Sequence, residues 1–235
     1  MKILGFIGAR GGSKGLKNKN TLDFAGKPLI QWSIETGLDS KFITDVVVST
    51  DDEKIRSVAI AAGARAPFLR PAELAGDRSD VNDAIIHGIR WLRENENRDY
   101  DLVALLQPTQ PLRTAKFVDQ TIHDFIQSAD LERDSLVAVT RAEAKLAYLM
   151  QARDGFVDFA IQRDRTPANR QELPEYYLPA GSIYIAPVER YLKQKSFYGD
   201  RTRFVEVDEA TAADIDSAED FENALRLYRS REVNR

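Results

Sequence analysis

MKILGFIGARGGSKGLKNKN, residues Met1 to Asn20, runs an apolar, strand-like start straight into a loop crowded with glycine and positive charge. Gly8, Gly11, Gly12 and Gly15 alternate there with Arg10, Lys14, Lys17 and Lys19. Glycines let a backbone turn tightly and offer bare N–H groups to an anion, and nearby cations neutralise it. A polyphosphate needs both, so a strand followed by such a loop predicts an α/β fold with nucleotide chemistry. The order Gly12-Ser13-Lys14-Gly15 lacks the hydroxyl residue that follows the lysine of a Walker loop. The glycine spacing also does not supply a G-x-G-x-x-G dinucleotide fingerprint. The bland alternative is a solvated basic surface turn.

Outward from this loop, apolar β-branched runs alternate with helical patterns, the rhythm of a mostly parallel sheet covered on both faces. Ile3–Ile7, Asp45–Thr50, Leu102–Leu106 and Ser135–Val139 read as strands, with a short extended piece near Ala66–Leu69. Leu29–Leu38, Glu53–Gly63 and Ser79–Glu96 read as helices, and Val118, Ile122, Phe125 and Ile126 mark another at helical spacing. From Thr140 to Pro179 the rhythm breaks into polar sequence with Pro167, Pro174 and Pro179 and little periodicity. Such an interruption between core strands is functional or an assembly element more often than slack loop. Regularity returns with Ser182–Ala186 and Phe204–Val207, then a helix from Ser217 to about Arg231. A single domain over 1–235 is expected, a Rossmann-like three-layer sandwich with an excursion over 140–180.

Composition narrows the partners. The net charge of −4 argues against a nucleic-acid binder and leaves the early positive cluster to serve a small anionic ligand. No cysteine is present, so disulfides and thiolate metal sites are excluded, and His87 and His123 sit in ordinary helical patterns. The apolar start is too short for a signal peptide or a membrane span, which predicts a cytoplasmic protein without membrane association.

Four further stretches can carry chemistry. Leu106-Gln-Pro-Thr-Gln-Pro-Leu-Arg113 follows a central strand, where open α/β sheets bind ligands. Gln107 offers a donor and an acceptor and Arg113 a fork; the alternative is a stiff connection with Thr114 as helix cap. Asp214 and Asp216 lie two apart, so on an extended segment they face one way and can hold one divalent cation, which hard oxygen ligands beside a triphosphate make Mg²⁺. Against this, Ser217-x-x-Asp220 is a capping box, and Asp216 could merely favour a helix start. Arg70–Asp77 could line a base pocket or connect two elements. Ser49-Thr50-Asp51-Asp52 reads as a helix cap.

Taken in order, ARGGSKGLKNKN (Ala9–Asn20), VVVSTDD (Val46–Asp52), RPAELAGD (Arg70–Asp77), LLQPTQPLR (Leu105–Arg113), RQELP (Arg170–Pro174), GSIYI (Gly181–Ile185) and DIDSAEDF (Asp214–Phe221) resemble the acylneuraminate (CMP-sialic acid synthetase) family of cytidylyltransferases. The match spans nearly the whole chain. The resemblance implies the nucleotide-diphospho-sugar transferase type of fold, and transfer of CMP from CTP to the anomeric hydroxyl of a sialic-acid-like nonulosonic acid. It implies that Arg10, Gly12, Ser13, Lys14, Lys19, Asn20 and Arg70 contact the nucleotide, with Lys14 and Lys19 neutralising phosphate charge. It further implies Gln107 on the acceptor sugar, Mg²⁺ at the catalytic pair Asp214 and Asp216, and a homodimer built on the 140–180 excursion. Arg170 then helps to complete the neighbouring subunit's site.

One segment departs from the family. Sialic acid synthetases typically read Arg-Pro-Asn-Gly-Ala-Ile-Tyr where this chain reads Leu178-Pro-Ala-Gly-Ser-Ile-Tyr184. Losing a polar partner shifts discrimination between substrates by orders of magnitude, so legionaminic acid, pseudaminic acid or another 2-keto-3-deoxy sugar acid, such as 3-deoxy-manno-octulosonate, stays open as acceptor. A guanylyltransferase variant, a more general sugar-nucleotide pyrophosphorylase and a non-catalytic nucleotide-binding homologue stay open as well.

Overall fold

Ile3–Gly8 forms β1 in the interior of a six-stranded sheet, paired in parallel with β4 (Asp45–Ser49) on one side and β5 (Leu102–Leu105) on the other, while the short β2 (Asp23–Phe24) and β3 (Lys27–Pro28) pair only with each other. The computed structural model describes residues 1–12, 15–76, 79–143, 146, 148–161 and 175–233. Beyond β5 the sheet continues through β9 (Tyr177–Pro187), β6 (Ser135–Arg141) and β10 (Thr202–Glu206). Only β9 runs against the others, antiparallel to both β5 and β6. The mostly parallel α/β sheet read from the sequence is thus present, with one strand reversed inside it. The piece near Ala66–Leu69 extends the far edge as single bridges, Val47 to Arg65 and Thr50 to Leu69.

Alternation along β1 sends Ile3 and Ile7 to one face and Leu4 and Phe6 to the other. The first face is covered by α1 (Leu29–Leu38), α2 (Glu53–Ala61) and α4 (Ala115–Ser128), through Ile34, Ile55 and Ile122 among others. The second is covered by α3 (Val81–Glu96) and α5 (Val188–Gln194), through Ile85, Leu92 and Tyr191. Three layers result. The last helix, α6 (Ala218–Val233), closes a smaller core of Phe24, Leu29, Leu112, Ile215 and Ala224. That packing brings the DIDS segment back beside the glycine loop.

Three expectations need correction. Strand β9 begins at Tyr177 rather than Ser182, and a register shift near Val137 and Val139 lets its extra residues continue along β6. The described part of the 140–180 excursion is not irregular throughout: β7 (Met150–Arg153) and β8 (Phe156–Phe159) pair as a hairpin turning at Asp154 and Gly155. Helix α5 is also absent from the sequence reading, because its seven residues give too little period to detect.

Candidate active site

Three chain segments meet at the carboxyl ends of β1 and β5 around a cleft of about 400 Å³ lined by Arg10, Lys19, Asn20, Gln107, Asp214 and Asp216, among others. Each arrives for a local reason. Behind β1 the loop is anchored by its backbone: the Ala9 amide donates to the Ser49 carbonyl at 3.0 Å, and the Gly11 amide to Asp51 Oδ1 at 3.0 Å. Asp52 caps α2 through the Lys54 and Ile55 amides. The STDD stretch therefore does what capping predicts and also ties down the glycine loop through Asp51. The Arg10 guanidinium donates to the Gly76 carbonyl at 3.1 Å, so the RPAELAG connection flanks the loop.

Asn20 is buried and donates from Nδ2 to the Arg10 carbonyl at 3.1 Å, while its Oδ1 is buried without a partner. Gly12 is exposed, and among the described residues beyond its chain neighbours nothing lies within 4 Å of where its Cβ would stand. Ser13, Lys14 and Arg170 lie outside the described residues. Arg70 does not line the cleft. It is buried behind the loop, where it donates to Ser49 Oγ at 3.0 Å and to the Ser49 carbonyl. Burial lowers its pKa; Arg10 lowers it further and Asp51 opposes.

Lys19 and Asp216 are paired at 2.7 Å across the cleft. The loop crosses Asp216 so closely that a Cβ on Gly15 would stand 2.2 Å from the Asp216 carbonyl oxygen, a contact only glycine permits. The capping box is real but does not employ the Asp216 side chain. Asp220 accepts from the Asp216 and Ser217 amides and from Ser217 Oγ, and its own amide donates to Ser217 Oγ. Capping therefore falls to Asp220 and leaves the Asp216 side chain out of the helix start.

Asp214 keeps solvent contact inside the cleft, yet the protein crowded around it raises its pKa. The Asp216 charge raises it further, while Thr109, Lys19 and Gln110 act in the opposite direction. Both carboxylates line the same cleft. Among the described residues no group of three or more His, Cys, Asp or Glu gathers at one point. Two aspartates suit Mg²⁺, which takes one or two carboxylates and fills its remaining positions with water and substrate phosphates.

The LLQPTQPLR turn faces this pair. Its Thr109 carbonyl accepts from the Ile215 amide at 3.0 Å, tying the two motifs together. Gln107 presents its side chain to the cleft, and its carbonyl is held by Ser33 Oγ at 2.9 Å. Arg113 turns away from any ligand. It is 2% exposed and spends its fork on the Ser182 carbonyl at 2.6 Å and Ser33 Oγ at 2.8 Å. Of the two readings of this turn, Gln107 faces the cleft while Arg113 belongs to the stiff connection capped by Thr114. Gly181, at φ +71°, lies beneath: a Cβ there would stand 2.3 Å from Gln107 Oε1 and 2.9 Å from Gln110 Nε2. Asp51, Thr109, Gln110 and Gly181 escaped sequence reasoning, since their roles exist only once distant segments pack together.

Comparison with known proteins agrees with this arrangement. The family model described as cytidylyltransferase matches residues 4–233. The chain is 32% identical over 229 residues to a pseudaminic acid cytidylyltransferase of Campylobacter jejuni, covering 97% of each protein. It is 34% identical over 232 residues to an N-acylneuraminate cytidylyltransferase of Escherichia coli, covering 98% of this chain and 53% of that longer protein. Among solved structures, a CMP:2-keto-3-deoxy-manno-octonic acid synthetase complexed with CTP superposes with a TM-score of 0.72 over 98% of this chain and 100% of that one, at 19% identity, which speaks to the fold. A family match over residues 4–233, almost the full length, makes this chain a member of the cytidylyltransferase family.

Proposed function

We propose that this chain transfers CMP from CTP to the anomeric hydroxyl of a nonulosonic acid, with Mg²⁺, and releases pyrophosphate. The observation that carries the reading is the convergence of Arg10, Lys19, Asn20, Gln107, Asp214 and Asp216 on one cleft. The acceptor oxygen forms a bond to the α-phosphorus, the bond from that phosphorus to the bridging oxygen breaks, and the hydroxyl proton is lost. Such a reaction is accelerated by positioning and charge neutralisation more than by covalent help. Arg10, Lys19 and the loop amides, with Gly12, Ser13 and Lys14 of the same loop, grip the triphosphate. The unpartnered Oδ1 of Asn20 offers the nucleotide an acceptor. Arg70 acts from behind the loop by fixing Ser49, to which Ala9 is bonded. Asp214 and Asp216 hold the Mg²⁺, which when bound neutralises phosphate charge and lowers the pKa of the attacking hydroxyl.

Gln107 orients the acceptor over Gly181. Leu178, where sialic acid synthetases typically carry arginine, is exposed, and Ala180, where they carry asparagine, is buried. This favours an acceptor other than N-acetylneuraminic acid, and the similarity to a pseudaminic acid enzyme points the same way. The hairpin of β7 and β8 leaves Met150, Phe156 and Val157 exposed, an apolar surface suited to a second copy in a homodimer. Arg170 of that excursion would then reach the neighbouring site. No helix among the described residues is long and apolar enough to cross a membrane; the cytoplasm, which supplies the CTP, is the location proposed with this activity.

The test is pyrophosphate release from each of CTP, UTP, GTP and ATP with pseudaminic, legionaminic and N-acetylneuraminic acids and 3-deoxy-manno-octulosonate. Release from CTP with a nine-carbon acid is expected. Release only with the octulosonate moves the acceptor to that class, and tight CTP binding without turnover on any acid makes the chain a binding homologue.

A further inference from the structure

The ladder between β5 and β9 ends with Leu105 opposite Tyr184, and the same register would next set Gln107 opposite Ser182. Arg113 fills that place. Its Nη1 donates to the Ser182 carbonyl at 2.6 Å and its Nη2 to Ser33 Oγ at 2.8 Å. The Ser33 hydroxyl in turn donates to the Gln107 carbonyl at 2.9 Å, which Nη2 also reaches at 3.5 Å. Ser182 directly follows Gly181, and a Cβ on Gly181 would collide with Gln107 Oε1. One guanidinium therefore holds Gln107 twice: its main chain through Ser33, and the floor under its carboxamide through Ser182.

A charge in this position is costly. Among the described residues the acceptors of Arg113 are all neutral oxygens, its Nε is buried without a partner, and burial pushes its pKa down to about 9. An apolar side chain of similar volume often serves stability as well as a buried charge does. What an apolar spacer cannot supply is a rigid planar fork of donors that ties two backbone segments at a fixed separation.

We propose that Arg113 is a positioning residue for the acceptor: by bridging Ser182 and the Ser33–Gln107 contact, it sets the Gln107 carboxamide over Gly181 where that carboxamide meets the sugar acid. The proposal rests on reading Gln107 as the acceptor contact. Misplacing a contacting group by about 1 Å costs up to about 100-fold in rate, so the height of this floor matters.

A double-mutant cycle between Gln107→Ala and Arg113→Met tests it on the full chain, with CTP, Mg²⁺ and whichever nonulosonic acid the wild type turns over fastest. Arg113→Met alone should lower kcat/KM for the acid by about 10- to 100-fold, while KM for CTP stays within about twofold, too small a change for a lost contact. In the Gln107→Ala background the same change should cost less than about twofold, because the group it positions is gone. An equal loss in both backgrounds, or a parallel rise in KM for CTP, overturns the proposal, since Arg113 then supports the cleft as a whole. Unchanged kcat/KM in folded Arg113→Met overturns it and leaves the Gln107 reading intact. An unaffected Gln107→Ala variant defeats that reading and the proposal together, as does a wild type that turns over no acid. Should Arg113→Met fail to fold, Arg113→Lys, which keeps the charge without the fork, is judged by the same outcomes.

Discussion

At Ser217 and Asp220 the last helix is capped without help from the Asp216 side chain, and this separation makes Asp216 a clean probe of chemistry. Asp216→Ala removes a carboxylate that is three-quarters exposed and one ion pair to Lys19, a contact worth about 0–1 kcal/mol. Turnover should fall by more than about 100-fold, the upper end for an outer partner of a metal, with almost no change in Tm. Asp220→Ala should do the reverse, costing about 1 kcal/mol by loss of the cap while keeping measurable activity. Denaturation and turnover measured together on both variants check the assignment; equal damage to stability from the two would return Asp216 to a capping role. Both carboxylates were legible in the sequence, yet the spacing DIDSAED could not divide the work between them. The folded hydrogen bonds do that: Asp220 takes the Asp216 and Ser217 amides, while the Asp216 carboxylate turns to Lys19, 197 residues away.

Among the elements, those with strong local signals were the legible ones. Helix α1 has the bounds its pattern predicts, and Asp52, Thr114 and Ser217 stop the backbone where capping chemistry places them. The direction of β9 was not legible, because an apolar run buried on both faces reads alike in either direction. The edge strand β10 depends on a contact between distant residues: Asp134, buried just before β6, accepts from Arg201 and Arg203. The Arg201 hydrogen bond leads in holding the Asp134 carboxyl well below the usual carboxylate range, with burial opposing and Arg203 adding to the fall. A carboxyl depressed on folding adds stability that is complete above its unfolded pKa of about 3.9 and is lost as pH drops below it. Asp134→Asn should therefore lower stability at pH 7 and flatten the decline below about pH 4. Urea denaturation across pH 2–7 checks this, and an unchanged acid limb would mean the two exposed arginines are fully screened.

The whole molecule places its candidate cleft at the carboxyl end of the parallel strands and its hairpin on a separate two-stranded sheet. The strand-and-loop opening of the chain was enough to foresee a cleft there, since open α/β sheets form their crevices at that end. The hairpin escaped the reading because strands of four residues exposed on both faces carry no alternating pattern. If the hairpin seats a second copy, Phe156→Asp with Val157→Asp should give monomers that stay folded and lose activity, read by sedimentation and turnover. Dimers that persist with both charges in place would exclude the hairpin as the interface. The central claim concerns which phosphorus is attacked, and phosphorus NMR of CTP, Mg²⁺ and a nonulosonic acid with the enzyme reads it directly. The account predicts one new phosphodiester resonance for the CMP-sugar, rising in step with pyrophosphate. Unchanged CTP with every acceptor, or inorganic phosphate appearing without that phosphodiester, would contradict it.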